Sequence, residues 1–243
     1  MLKTKIFRII LIAIVPLLIL SLVLIYFTFN GVNARAREIE RNFNAFEEKL
    51  DAILQWPEQK DLVITDRTYD KDFEALCELG IGSVPLLLEI KFQNTYPTRD
   101  NLIMDGIYTL LAVDGPTIVD NYKTQYAEPY YDIFVKFFQD SKTKIPEILG
   151  SNLTMEEKID RLSLFGVLAI PYLQKSSLTE ELAAYCVSIE LYLPPESRGD
   201  VAPKKLPEEE EARLKAEFDY QKWLSDNKYD LILLQKYVDG LTG

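Results

Sequence analysis

Between Arg8 and Arg35 the chain carries no charged side chain, and the centre of that run reads IILIAIVPLLILSLVLIYFTF from Ile9 to Phe29. At about 1.5 Å per residue a helix over this stretch reaches about 31 Å, matching the roughly 30 Å hydrocarbon core of a bilayer. A secretory signal has an apolar region of only about 7–15 residues, so the length predicts an uncleaved transmembrane anchor inserted through residues 9–29. Pro16 is tolerated in such a helix, and Tyr26, Phe27 and Phe29 stand where an interfacial aromatic belt is expected. Cleavage after Ala34, with Val32 and Ala34 at the small-residue positions of a weak site, is the alternative.

Basic residues flank both ends of the run. Lys3, Lys5 and Arg8 precede it, and Arg35, Arg37 and Arg41 follow it in the company of Glu38 and Glu40. The count is a tie. The tight cluster in the first eight residues favours a cytoplasmic amino terminus, which places the remainder outside the cytoplasm as the extracytoplasmic part of a single-pass cell-membrane protein. Setting aside the three basic residues of the first 29 positions leaves 24 basic against 38 acidic side chains. An exported part this acidic is expected to stand off anionic lipid headgroups.

The rest of the 243 residues is rich enough in apolar side chains, at 48% of the whole, to fold around a core. A net charge of −11 repels a phosphate backbone, so no nucleic acid is expected as partner. The absence of histidine removes Ser-His-Asp and Cys-His catalysis and His-ligated zinc, leaving carboxylate chemistry or none. No Gly-rich phosphate cradle is present, and Asp70-x-Asp72 lacks the glycine and closing glutamate of a calcium loop, so neither cofactor nor metal is expected. Cys77 and Cys186, far apart in sequence, either pair in an oxidising compartment or are two thiols buried in helices, the commoner fate of free cysteine.

Helical periodicity runs through the chain beyond the anchor, and period-2 strand patterns are scarce. Ile39, Phe43, Phe46, Leu50, Ile53 and Leu54 recur at three- and four-residue steps, an amphipathic helix continuing the membrane helix as a stalk until Trp56-Pro57. Further helices are expected at about 69–80, 83–92, 99–113, 128–139, 154–165, 168–175 and 178–193. Pro207 and the glutamates behind it start a C-terminal pair, whose second helix Ser225 is placed to cap. The predicted order is a tip and transmembrane anchor over 1–33, an amphipathic stalk and linker over 34–68, a helical domain over 69–193, a Pro-rich linker over 194–206 and capping helices over 207–243.

An internal echo links LGIGSVPLLLEIK from Leu79 with FGVLAIPYLQK from Phe165, matching Gly80 with Gly166, Ser83 with Ala169, Val84 with Ile170, Pro85 with Pro171 and Leu87 with Leu173. Pro129 stands midway without its glycine. A period near 40–47 residues with two helices per unit points to an α-solenoid. The stretches Ala75 to Leu88 and Leu162 to Leu173 resemble HEAT-like repeats of the phycobilisome-lyase type. The resemblance implies a stacked helix-pair scaffold that binds proteins or peptides, and it carries no catalytic residue. The fold class is therefore all-α, an N-terminal transmembrane helix followed by an irregular HEAT-like α-solenoid or, because only two units are clear, a helical bundle.

Tyr122, Tyr126, Tyr130, Phe134 and Phe138 recur at four-residue steps with Tyr131 and Phe137 alongside, a stripe that either seams stacked helices or lines a groove. The expected division makes Phe134 and Phe138 structural and leaves at least one of Tyr126, Tyr130 and Tyr131 exposed for a protein or peptide partner. Acidic clusters at Asp70, Asp72 and Glu74, at Glu156, Glu157 and Asp160, at Glu180 and Glu181, and at Glu208 to Glu211 are read as helix-start residues favoured by the helix dipole. The Arg198-Gly199-Asp200 tripeptide and the Asn152-Leu153-Thr154 sequon are feeble signals. The function expected is a noncatalytic, membrane-anchored binding or scaffold module at the cell envelope. Its competitor is an envelope hydrolase using paired carboxylates on cell-wall glycan, which needs two facing acids in a cleft.

Overall fold

The computed structural model describes residues 2–54, 66–90, 97–113, 115–122, 130–174 and 219–241. Among them the chain is mostly helical, with no strand. The first helix, α1 (Leu2–Leu54), is continuous over 53 residues, about 80 Å, so the apolar run and the amphipathic stretch after it are one rod. Its two halves differ in what surrounds them. At Ile14 and from Leu17 to Phe29 the large apolar side chains are exposed, whereas Val32, Ile39, Phe43 and Phe46 are buried along one face. The stretch read as a stalk is thus built into the globular core.

Two short units repeat the same local geometry. After α2 (Asp66–Cys77), Gly80 takes φ 83°, a 3-10 turn follows at Ile81–Ser83, and α3 (Val84–Glu89) opens with Pro85 in its first turn. After α7 (Met155–Ser163), Gly166 takes φ 48°, a 3-10 turn runs over Gly166–Ala169, and α8 (Ile170–Leu173) opens with Pro171. The positive φ explains glycine at both places, and proline fits because a first-turn amide has no helical acceptor. Ser83, fully buried, donates its hydroxyl to the Gly80 carbonyl at 2.7 Å, which satisfies a polar group that the matching Ala169 does not bring.

Between the units lie α4 (Pro97–Leu111), α5 (Gly115–Tyr122) and α6 (Tyr130–Gly150). Helix α5 follows a turn in which Ala112 adopts φ 53°, and sequence periodicity gives no sign of it. Helix α6 continues beyond the expected end near Gln139 and passes through Pro146, because Ile133, Phe134, Phe137, Phe138, Ser141 and Ile145 keep one face in the core as far as the proline. The last helix, α9 (Tyr220–Gly240), is capped by Asp219, whose side chain accepts from the Lys222 amide at 2.9 Å. Ser225 lies inside this helix and caps nothing, since the capping oxygen is six residues earlier. Leu231, Leu234 and Val238 carry α9 across α1, the first 3-10 turn, α3 and α6. It packs against the first helix as well as against the helical units. The helix expected at 178–193, the Pro-rich linker, the Arg-Gly-Asp tripeptide and the helix starting at Pro207 lie outside the described residues.

Candidate functional site

Where α1, the first 3-10 turn and α9 meet, an ion pair is buried. Asp230 is 2% exposed. Its Oδ1 accepts from Arg35 Nε at 2.6 Å, and its Oδ2 accepts from an Arg35 terminal nitrogen at 3.2 Å and from the Gly82 amide at 3.1 Å. Arg35 also donates to the Leu79 carbonyl at 3.2 Å and pairs with Glu38 at 3.1 Å. The hydrogen bond that Arg35 donates to Asp230, ahead of the desolvation that opposes it, holds the guanidinium protonation even more firmly than usual. Backbones approach closely here: a Cβ on Gly80 would stand 2.4 Å from Asp230 Oδ2, and one on Gly82 would stand 2.7 Å from Ile39 Cδ1. The arrangement fixes the helix that emerges from the apolar run to the carboxy-terminal helix.

The aromatic stripe divides along α6. Phe134, Phe137 and Phe138 are essentially inaccessible and pack edge-on or tilted against one another, with Phe165 stacked on Phe137 at 5.7 Å and Tyr108 beside Phe134. Tyr122 closes one end of this seam against Phe137, with Lys144 5.5 Å from its ring centroid; burial and then the charge of Asp140 push its hydroxyl well above the ordinary tyrosine range. Tyr131 faces outward at 39% exposure. The Tyr126 side chain and the Tyr130 side chain lie outside the described residues, although Tyr130 begins α6. So does Cys186, and Cys77 is half-buried.

Helix α9 brings Tyr237 beside Tyr131, and on the same helix Gln235 and Asp239 meet Tyr172 and Lys142. Tyr237, stacked edge-on with Phe138, is pushed upward in pKa by burial first and by neighbouring Tyr131 and Glu89 after it. Tyr172 is also raised by burial, against a hydrogen bond with Gln235. Gln235 in turn donates to Asp239 at 2.8 Å, and Lys142 reaches the Asp239 carbonyl at 3.4 Å. Tyr131 is thus exposed, whereas the hydroxyl of its neighbour Tyr237 is buried.

Among the described residues the acids of the clusters take different local roles. Glu157 completes a capping box with Thr154, accepting from its backbone amide at 2.8 Å, and these bonds hold its carboxyl below the usual range. Asp72 sits in the middle of α2, not at its start, and burial raises it. A shallow groove of about 390 Å³ runs along the outer face of α1 past Arg37, Glu40, Arg41, Asn44, Ala45 and Glu48. Its two acids are eight helical positions apart, about 12 Å of rise, beyond the roughly 5–10 Å that a pair of glycosidase carboxyls spans. Among the described residues no group of three or more Cys, Asp or Glu side chains is placed to hold a metal.

Sequence reasoning missed Asp230, although a signal was there. It stands four and eight positions before Leu234 and Val238, on the buried register of its helix, where an acid requires a cation. No family model, no curated protein and no solved structure matches the chain.

Proposed function

We propose that the chain is a single-pass membrane protein whose helical domain is a noncatalytic binding module, held outside the cytoplasm at the cell membrane. The observation that carries the reading is the division of α1. Twelve large apolar side chains between Ile14 and Phe29 are exposed, from 42% at Val23 to 66% at Phe27. Leaving them in water forfeits on the order of 10–20 kcal/mol, as much as the whole stability of a domain. The same helix is long and apolar enough there to cross a bilayer, and its second half is built into the folded core.

The two Gly–3-10–Pro units support a HEAT-like origin for the scaffold, while the contact of α9 with α1 favours a helical bundle over a one-dimensional stack, in which each unit touches only its neighbours. The edge where exposed Tyr131 stands beside half-buried Tyr237 is the surface assigned to a protein or peptide, because an exposed tyrosine beside polar groups suits wet recognition. Among the described residues, the separation of Glu40 and Glu48 along the α1 groove favours this over glycan hydrolysis. Full-length protein that stays in the pellet through alkaline extraction, with its domain digested by protease added outside intact cells, is the expected result. A soluble form starting near Arg35, or a domain protected from external protease, would refute the anchor or its orientation.

A further inference from the structure

Resting on the membrane reading, we propose that the helical domain is seated in the lipid headgroup layer, with Tyr229 and Lys228 of α9 as the groups that enter it. The acidic net charge suggests a domain held away from lipid, but the packing leaves it no stalk on which to stand off. Gly31 is two residues past Phe29, about 3 Å along the helix axis. A Cβ on Gly31 would stand 2.4 Å from Tyr229 Cζ, so the ring of Tyr229 lies directly on the α1 backbone at this level. A headgroup layer is roughly 5–7 Å thick on each side of the hydrocarbon core. The folded domain therefore begins inside that layer.

The chemistry of the contact suits the place. Tyr229 is half-buried, with an apolar ring and a polar tip, the combination favoured at membrane interfaces. Lys228 is exposed, and its ammonium lies 5.7 Å from the Tyr229 ring centroid, which keeps a cation at the same depth for headgroup phosphates. The acids elsewhere on the domain do not cancel this local attraction, because charges more than about 8–10 Å away are screened at physiological salt. The Arg35–Asp230 pair, one residue along α9 from Tyr229, fixes the seat.

The test is a nitroxide amino acid encoded in place of Lys228, which leaves both cysteines intact, and a second variant with the same group in place of Leu20. Full-length protein is reconstituted into phosphatidylcholine vesicles, with and without phosphatidylglycerol, and label depth is read from relative accessibility to oxygen and to an aqueous nickel chelate. The expected result is a deep label at 20 and a label at 228 within about 7 Å of the hydrocarbon boundary in both lipid mixtures. Free nickel access at 228 beside a deep label at 20 would overturn the seat and leave the anchor standing. Free access at both positions would overturn both. Depth at 228 only in the anionic mixture would also overturn it, because the covalent geometry places Tyr229 at the interface whatever the lipid charge.

Discussion

Removing either partner of the Arg35–Asp230 pair is expected to unfold the junction between α1 and α9, and the two removals should differ in cost. Asp230 has a side chain only 4% exposed, against 25% for Arg35. In Arg35→Ala, Asp230 keeps a single donor, the Gly82 amide at 3.1 Å, and a nearly inaccessible carboxylate is left without a cation. Breaking a buried pair in this way costs about 3–5 kcal/mol. In Asp230→Ala the guanidinium retains Glu38 at 3.1 Å, the Leu79 carbonyl and a quarter of its exposure to water, so the loss is expected near 2–3 kcal/mol, from about three hydrogen bonds at roughly 1 kcal/mol each with partial re-solvation. For a chain of this size 1 kcal/mol moves Tm by about 2–4 °C, which gives falls of about 6–20 °C and 4–12 °C. The assay is thermal and urea unfolding of the full chain in detergent micelles, followed by circular dichroism and by fluorescence from half-buried Trp223 on α9. Replacing both residues together, Arg35→Met with Asp230→Leu, should recover most of the loss, because a buried pair and an apolar pair of similar volume are close in free energy. Equal costs for the two single variants, or a double variant as unstable as Arg35→Ala, would refute the argument from burial.

Gly166→Ala should be severely destabilising, by about 2 kcal/mol or more, since a Cβ there would stand 2.1 Å from the Leu111 carbonyl oxygen at a positive φ, whereas Gly150→Ala meets nothing within 4 Å and should be neutral or slightly stabilising; urea midpoints of the two variants compare them. Along α6, Phe137→Ala is expected to cost about 3–5 kcal/mol and Tyr131→Ala less than about 1 kcal/mol, so a Tyr131 variant melting as low as the Phe137 variant would remove the tyrosine edge as a recognition surface. Because hydrogen bonds from Thr154 lower the folded-state pKa of Glu157, its contribution is present above the unfolded carboxylate pKa and is lost as pH falls through the lowered value; Glu157→Gln should abolish that acid step in the Thr154 amide chemical shift.

The helical class, the long apolar span and the Gly–Pro units were legible because each is written in local chemistry. An uncharged run needs no neighbour to declare its length, and a glycine five residues before a proline marks a break and a first turn whatever packs around them. The capping box at Thr154 and Glu157 is of the same kind. Phe134 and Phe138 could be assigned to the core because their spacing repeats the helical period that buries them.

What the tertiary structure alone decided is which distant segments share those local elements. Arg35 reads as one of three arginines after a membrane span, and Asp230 as one acid among 38; only folding brings them to 2.6 Å across 195 residues. The same packing turned the apparent stalk into a core helix, since Ile39, Phe43 and Phe46 specify an apolar face but not its partner. It also set Tyr229 beside Gly31, which fixes how far from the apolar run the domain begins. Local pattern states what a segment needs to bury; the side chains that satisfy the need come from anywhere in the chain, and their identity is a property of three-dimensional packing.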